Sequence, residues 1–291
     1  MTLVSEGQSG YYPVKGYDMN IDFNDDYKIA KVLFIDKELE RLPNLHRGSI
    51  RDLRVVRLYD DNNRTVKTYS QSLEKNCKYG EIADLRKRYQ LLKKQLLSDL
   101  KVSPTEYKIQ LSAAYRLIKE DWDKMKSQSN PKEIKGDLWF ENIHMRSRFE
   151  VNTAIVLKKL NLEFKYEPEI ILNGKKVHPD FVVYLPEFEV CFIIECMGMI
   201  GSSGYDWDAT NRMKLLMDVG CIPFRDFLVL GGTETFIPTE EWVTNAIVSM
   251  VNSIAAECVQ SLSRQIVSHA KRSLISELPP EIAERIAHEW G

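Results

Sequence analysis

Two runs of β-branched and aromatic residues, separated by a short loop, constrain the fold of this chain more than any other feature. In chain order, the runs and the loop are residues 178–185 (HPDFVVYL), 186–189 (PEFE) and 190–197 (VCFIIECM). If Leu185 pairs with Val190, counting outward along both strands places Asp180 opposite Glu195. The pattern therefore predicts an antiparallel hairpin that carries two carboxylates on one face, with their Cβ atoms about 5 Å apart.

Two opposed carboxylates repel each other unless something neutralises them. Glu195 lies in residues 190–200, a run with no other charged residue, so we expect it to be buried, where an unpaired carboxylate is costly. Either the two acids share a proton or they hold a divalent cation. Carboxylate oxygens suit Mg²⁺ or Mn²⁺, and the main-chain carbonyl of Cys196 is a candidate further ligand. We interpret the pair as a metal site.

Composition limits the classes of protein that this chain can represent. A chain of 291 residues, 44% of them hydrophobic, can bury one large core or two smaller ones. The net charge of −2 provides no global attraction to nucleic acid, so any such binding requires a local basic patch. The five cysteines have no CxxC spacing, no uncharged run reaches membrane-spanning length, and the amino terminus lacks a signal-peptide pattern. We therefore expect a cytoplasmic location and no membrane partner.

Changes in pattern along the chain predict four segments. They are a small β-rich module (1–74), a basic helical hairpin (75–132), a core segment that contains the two carboxylates (133–236) and a helical segment (237–291). The module contains strand-like runs at 29–35, 53–59 and 65–69, and the hairpin has helical patterns at 79–97 and 103–126. The hairpin segment holds 14 basic and 7 acidic residues, which is consistent with either a phosphate-contacting face or a solvated surface.

The core segment reads in the order α-β-β-β-α-β. A helix led by residues 146–150 precedes a strand at 162–172, a turn at Asn173-Gly174 and the carboxylate hairpin. The glycine-rich loop 201–204 then leads to a helix at 205–219 with Gly220 as its C-cap, and to a strand at 224–230. An amphipathic helix is expected over 238–273, and a short terminal helix after Pro280.

Three stretches of the core carry a resemblance to a known family. They are residues 146–150 (RSRFE), 174–181 (GKKVHPDF) and 195–199 (ECMGM). In this order and spacing they resemble the PD-(D/E)xK nuclease superfamily, which has the restriction-endonuclease-like fold. They are most similar to a bacterial and phage group with RSxxE, YPDF-type and WEHFGM-type motifs. The HPDF segment also resembles the endonuclease subunit of heteromeric transposases. The resemblance covers roughly residues 140–232 and leaves both flanks unexplained.

The resemblance implies metal-dependent hydrolysis of phosphodiester bonds, with DNA as the expected substrate and a 5′-phosphate as the product. Asp180 and Glu195, with the Cys196 carbonyl, would hold one or two Mg²⁺ or Mn²⁺ ions. Glu150 would shape the second metal position, although an acid in the first turn of a helix is also favoured by the helix dipole.

The chain departs from the superfamily pattern at one position. The superfamily places a lysine two residues after the second acid, and this chain has Met197 there. A lysine supplied by the following helix would replace it, and Lys214 is our first candidate. Arg212 on the same helix is the next, because the basic residue that the resembling group carries on this helix aligns better with it; an arginine would bind phosphate but could not act as a base. Lys176, on the strand face of Asp180, is a third.

The residues expected to contact nucleic acid are Arg146, Arg148, Arg212, Lys176 and His178. For Arg146 and Arg148, pairing with the carboxylates and contact with phosphates both stay open. His178 is either a metal or water ligand or a hydrogen-bonded neighbour of Asp180.

The predicted fold class is α/β (α+β), a restriction-endonuclease-like core of mixed four-stranded sheet with flanking helices, preceded by the β-rich and helical-hairpin region. The predicted function is that of a DNA nuclease, with RNA left open, acting as a homodimer or as a subunit of a larger DNA-processing complex. Two other classes stay open: a non-catalytic nucleic-acid-binding or assembly subunit on the same fold, and a protein-interaction module whose carboxylates share a proton. Phage, mobile element, defence and repair are all compatible settings.

Overall fold

The structure is a computed structural model that describes residues 23–110, 115–134, 136–201, 205–233, 235–236 and 238–262, the side chains of 205–209 excepted. Its helices are α1 (Asp25–Arg41), α2 (Cys77–Asp99), α3 (Lys119–Lys124), α4 (Arg148–Lys159), α5 (Tyr205–Asp218) and α6 (Glu240–Cys258). Its strands are β1 (Leu45–Ile50), β2 (Leu53–Tyr59), β3 (Thr65–Ser70), β4 (Tyr107–Ile109), β5 (Leu117–Ile118), β6 (Leu138–Phe140), β7 (Ile143–Met145), β8 (Glu163–Tyr166), β9 (Ile170–Leu172), β10 (Lys175–Val177), β11 (Phe181–Leu185), β12 (Val190–Met197), β13 (Phe227–Gly231) and β14 (Val259–Ser261). The protein thus has a mixed α/β fold.

The chain divides into two compact units. Unit 1 comprises Met1–Asn24 and Leu111–Ala255, and unit 2 comprises Asp25–Gln110 and Ala256–Gly291. Among the described residues, no helix is both long enough and apolar enough to span a bilayer.

Unit 2 combines helices α1 and α2 with a three-stranded antiparallel sheet in the order β1-β2-β3. Strands β2 and β3 and helix α2 occupy the regions that the sequence predicted. The strand expected at 29–35 is wrong, because these residues lie within helix α1. Ile29, Val32 and Ile35 are buried at three-residue spacing, so the apolar run marks one face of a helix.

The second helix of the predicted helical hairpin is also wrong. Pro104–Glu106 form a single 3₁₀ turn, and β4 follows immediately. Strand β4 pairs antiparallel with β14, which lies near the carboxy-terminal end of the described residues. Helix α6 ends at Cys258, short of the predicted residue 273, because the next three residues join that pairing. The expected terminal helix after Pro280 lies outside the described residues.

Unit 1 is built on a mixed sheet in the order β13-β12-β11-β8, and the short strand β5 pairs with the start of β12. Strands β12 and β13 run parallel, and the other neighbours are antiparallel. Strands β11 and β12 pair from Leu185–Val190 to Phe181–Ile194, which confirms the predicted hairpin register. The predicted α-β-β-β-α-β order is also confirmed, in the elements α4, β8, β11, β12, α5 and β13.

The strand predicted over 162–172 is divided in two, because Pro168 interrupts it. Strand β8 ends at Tyr166, and Glu167, which precedes the proline, has a φ of +42°. Proline has no N–H to donate to a sheet, so pairing cannot continue through it. Strand β9 then forms a separate hairpin with β10, and its turn at Asn173 and Gly174 has φ values of +49° and +78°, as the sequence predicted.

The ends of the last two core elements differ slightly from the predictions. Helix α5 ends at Asp218, and Gly220 follows with a φ of +89°, the conformation expected of a C-cap glycine. Strand β13 begins at Phe227, later than the predicted residue 224, because Asp226 closes a turn by accepting from the Ile222 N–H at 2.8 Å. Most of the glycine-rich loop expected at 201–204 lies outside the described residues.

Candidate active site

Asp180 and Glu195 lie at the end of the β11–β12 hairpin, one position beyond the last pair of that ladder. Both are buried, with exposed fractions of 8% for Asp180 and 1% for Glu195. The Cys196 main-chain N–H donates to Oδ2 of Asp180 at 2.7 Å. Asp180 also accepts from the Glu167 N–H through its main-chain oxygen, at 2.9 Å. The carboxylate of Asp180 is therefore fixed from β12 and its backbone from the end of β8.

Arg212 on α5 supplies positive charge to both carboxylates. Its Nη1 atom lies 3.3 Å from Oε2 of Glu195 and 3.9 Å from Oδ1 of Asp180. The Arg212 side chain is 39% exposed, whereas that of Glu195 is 2% exposed. The guanidinium thus reaches from the surface into a buried acidic site.

Burial and repulsion from neighbouring carboxylates raise the pKa values of both acids. Burial raises the pKa of Asp180 to about 7, with a further contribution from the charge of Glu150. Burial and the charge of Asp180 hold the pKa of Glu195 well above its usual range. Arg212 lowers both values, and the hydrogen bond from Cys196 lowers that of Asp180, but neither cancels the effect of burial. The pair therefore binds protons readily near neutral pH, and a cation that displaces them would relieve the repulsion.

Glu150 has a structural role that is visible in its contacts. Ser147 is the N-cap of α4, and its hydroxyl accepts from the Glu150 N–H at 3.1 Å and donates to Oε1 of Glu150 at 2.9 Å. Oε2 of Glu150 accepts from the Tyr166 hydroxyl at 2.7 Å and from the Arg146 N–H at 3.0 Å. Three donors thus hold the Glu150 carboxylate, while its charge still acts on Asp180.

Arg146 pairs with an acid that the sequence analysis missed. Its Nε and Nη2 atoms bind the two carboxylate oxygens of Glu167 at 2.5 and 3.2 Å. The same guanidinium donates to the main-chain oxygens of Glu133 and Lys132 at 2.8 and 2.6 Å. Arg146 thus pairs with Glu167, which is not one of the acids considered for it from the sequence, and this network connects the start of α4 with the end of β8. Arg148, two residues further on, is exposed.

A cavity of about 320 Å³ opens beside the carboxylates. It brings together most of the predicted residues with additional charged and amide groups: Asn130, Lys132, Arg146, Glu167, Lys176, His178, Asp180, Glu195 and Arg212. Lys214 is exposed and is absent from the described lining, so α5 contributes Arg212 to the cavity and not our first candidate. Arg148 and Glu150 are absent from the described lining as well.

His178 and Lys176 lie at one side of this cavity beside Glu169. Nε2 of His178 is 3.7 Å from a carboxylate oxygen of Glu169, and Nζ of Lys176 is 3.1 Å from the other. Nε2 of His178 is buried without a hydrogen-bond partner among the described residues. The described residues thus leave the hydrogen-bonding capacity of this buried ring nitrogen unused.

Glu167 is the functional candidate that the sequence analysis did not identify. It is buried, lines the cavity and has a left-handed backbone conformation immediately before Pro168. A residue that precedes proline is restricted to extended backbone conformations, so the positive φ of Glu167 is strained. Backbone strain of this kind is common at functional positions. The available signal was the sequence Glu-Pro-Glu at 167–169, an acidic interruption in an otherwise strand-like segment.

Met197 is 1% exposed. It follows Glu195 by two residues and therefore lies on the same face of β12. The side chain at the position of the superfamily's lysine is therefore part of the core. Cys196 is buried as well, and its Sγ lies 3.5 Å from the Thr153 hydroxyl. The thiol thus packs in the core beside α4.

The residues present fit a hard divalent cation, provided that other ligands complete its shell. Among the described residues, no group of three His, Cys, Asp or Glu side chains is arranged to hold an ion alone. Two buried carboxylates with raised pKa values nevertheless offer the oxygen atoms that Mg²⁺ and Mn²⁺ prefer. The Cys196 carbonyl points to the same side of β12 as its N–H, towards Asp180, because both groups of a strand residue face one neighbour. Mg²⁺ usually retains several waters, so two carboxylates suffice.

The fold and the site together define a mixed α/β protein with a buried pair of carboxylates at the end of a β-hairpin. Comparisons with protein-family models, with curated proteins and with solved structures gave no match for this chain.

Proposed function

We propose that this chain is a metal-dependent nuclease of the PD-(D/E)xK type, with DNA as its expected substrate. One observation carries the proposal: Asp180 and Glu195 are buried together beside a cavity whose described lining also includes basic side chains. Buried acids of raised pKa suit a divalent cation, and basic side chains suit the phosphates of a nucleic acid. The α-β-β-β-α-β order of unit 1 supports the same assignment.

Each residue of the site has a role in the proposed reaction. Asp180, Glu195 and the Cys196 carbonyl would hold Mg²⁺ or Mn²⁺, which when bound lowers the pKa of water and polarises the phosphate. Arg212, which is partly exposed and close to both acids, would neutralise charge on the phosphate but cannot accept a proton. His178 also lines the cavity, and a neutral imidazole can accept a proton. Glu150 and the Arg146–Glu167 pair would position the acids.

One alternative is favoured by specific observations. Met197 is buried where the superfamily has its catalytic lysine, and Arg212 already offers positive charge to both acids. These two features support a subunit that binds nucleic acid or assembles a complex on a nuclease-like fold without cutting. In that case the carboxylates would be neutralised by Arg212 and by bound protons.

A cleavage assay separates the two functions. The full chain is incubated with supercoiled, linear and single-stranded DNA, and with RNA, in Mg²⁺ or Mn²⁺, beside the variants Glu195→Gln and Asp218→Asn. Asp218 is exposed on α5 and provides the same acid-to-amide change outside the cavity lining. We expect wild type and Asp218→Asn to cut, and Glu195→Gln to lose at least about 100-fold in rate. If wild type and Glu195→Gln are equally inactive on all substrates, the binding subunit is the better assignment.

A further inference from the structure

The hairpin formed by β1 and β2 ends in a turn that its residues do not favour. Ile50 pairs with Leu53, which leaves Arg51 and Asp52 as a two-residue turn with φ values of +46° and +66°. Positive φ at both positions is the type I′ pattern, for which Asn-Gly is the preferred sequence. Arg51 and Asp52 therefore adopt this turn at a cost in stability, and such costs are common where a side chain serves a function.

The hairpin tip, defined as residues 50–54, is exposed and partly apolar. Ile50 is 44% exposed and Leu53 is 60% exposed. The ladder between β2 and β3 stops at Val55, and one further bond runs from the Gln71 N–H to the Arg54 carbonyl at 3.0 Å, so residues 50–53 extend past the third strand. Exposed apolar side chains on a projecting two-stranded ribbon are suited to contact with a partner.

The same hairpin is strongly basic within a chain whose net charge is negative. Residues 45–59 contain four arginines (Arg47, Arg51, Arg54 and Arg57) and one acid, Asp52. Two of the arginines have structural partners, since Arg47 binds Asp84 and Arg57 donates to the Ser49 carbonyl at 3.2 Å. Arg51 and Arg54 are exposed, and neither forms an ion pair within the described residues. The tip thus presents two guanidinium groups to solvent.

Gly48 allows a third guanidinium to lie near the tip. A Cβ atom at Gly48 would be 3.2 Å from Nη1 of Arg57, closer than ordinary contact. The missing side chain lets Arg57 lie against β1 and reach the Ser49 carbonyl. Three arginines are thereby concentrated at one end of the ribbon.

We propose that the hairpin tip binds a groove of duplex DNA, with Arg51 and Arg54 contacting phosphates and Ile50 and Leu53 contacting sugars or base edges. A two-stranded ribbon fits the major groove, and guanidinium groups with apolar neighbours are typical of groove-binding elements. The positive charge of the tip is complementary to the phosphate backbone. The choice of DNA as the ligand rests on the function proposed above, whereas the binding itself requires none of the carboxylates of unit 1.

The test is a binding titration of the full chain with a fluorescent duplex of about 20 base pairs, in EDTA and at several salt concentrations. Arg51→Gln/Arg54→Gln is compared with Arg64→Gln, an exposed arginine in the turn at the other end of β2. We expect the double variant to bind at least about tenfold more weakly, with a salt slope smaller by about two. Arg64→Gln is expected to bind as wild type does.

A second variant tests whether binding depends on the Arg51 side chain itself or only on the net charge of the tip. Arg51→Asn/Asp52→Gly keeps the net charge and installs the preferred type I′ sequence, so it should fold at least as stably as wild type. Weaker binding by this stable variant supports the proposal. If both tip variants bind the duplex as tightly as Arg64→Gln does, the tip proposal is overturned, even if the wild-type protein cleaves DNA. If the tip variants bind DNA as wild type does but are no longer retained on anionic vesicles, the proposal is overturned and the tip is a membrane-surface element instead. If the tip variants bind DNA more weakly and the wild-type protein does not cleave DNA, the tip proposal is supported and the proposed nuclease function is overturned.

Discussion

The main-chain N–H of Cys196 donates to the carboxylate of Asp180 at 2.7 Å, across the end of the β11–β12 hairpin. This bond fixes one acid of the candidate site to the strand that carries the other. Because both acids are buried, their ionisation is coupled to the stability of the fold.

Stability of the metal-free protein should fall as the pH rises from about 4 towards about 7, the window between the ordinary pKa of an aspartate and that of Asp180. A raised pKa means that the folded state holds more protons than the unfolded state in this window, so unfolding releases protons. Each such proton lowers the free energy of unfolding by about 1.4 kcal/mol per pH unit. Urea unfolding in EDTA at pH 5, 6, 7 and 8 measures this slope.

Glu195→Gln provides the control for the pH effect. The variant removes the buried acid whose own pKa lies well above its usual range, so the slope should become shallower and the protein more stable at pH 8. A wild-type slope equal to that of Glu195→Gln would contradict the raised pKa values.

Binding of Mn²⁺ should release protons and should stabilise the protein more at pH 8 than at pH 6. The cation competes with the protons that Asp180 and Glu195 hold near neutral pH. Calorimetric titrations in buffers of different ionisation enthalpy measure the protons released, and thermal melting measures the stabilisation. Asp180→Asn and Glu195→Gln should abolish both signals, and Asp218→Asn should preserve them. A wild-type protein that binds neither Mn²⁺ nor Mg²⁺ would remove the basis for a metal site.

Replacement of Arg146 by lysine should destabilise the protein by about 2–3 kcal/mol. Lysine cannot reproduce the bidentate contact with buried Glu167 or the two donations to main-chain oxygens. The exposed Arg148 offers the same substitution at the start of α4, and Arg148→Lys should change stability by less than about 0.5 kcal/mol. Urea unfolding compares the two, and equal losses would show that the Arg146–Glu167 pair contributes little.

Replacement of Tyr166 by phenylalanine should cost about 1.5–3 kcal/mol, because its hydroxyl donates to the buried carboxylate of Glu150. Tyr184, on the neighbouring strand β11, stacks on Trp122 with its ring, so Tyr184→Phe should be nearly neutral. Unfolding curves at pH 7 measure both changes. A neutral Tyr166→Phe variant would mean that Glu150 is satisfied by its other two donors alone.

The sequence determined the hairpin and its register. The runs 181–185 and 190–194 contain no charge and are buried at every position, so only one spacing closes the short loop between them and opposes the two acids. The turn at Asn173-Gly174 was equally readable, because turn preferences act over a few residues.

Tertiary structure decided what surrounds the two acids. Arg212 and Lys214 lie on the same helix, and only the packing of α5 on the sheet directs Arg212 to the carboxylates. The pairing of Arg146 with Glu167 joins side chains 21 positions apart, and β4 becomes a strand only because β14 returns to pair with it. Local propensity carries no information about such long-range partners, since the free energy that selects them comes from burial and pairing in the folded chain.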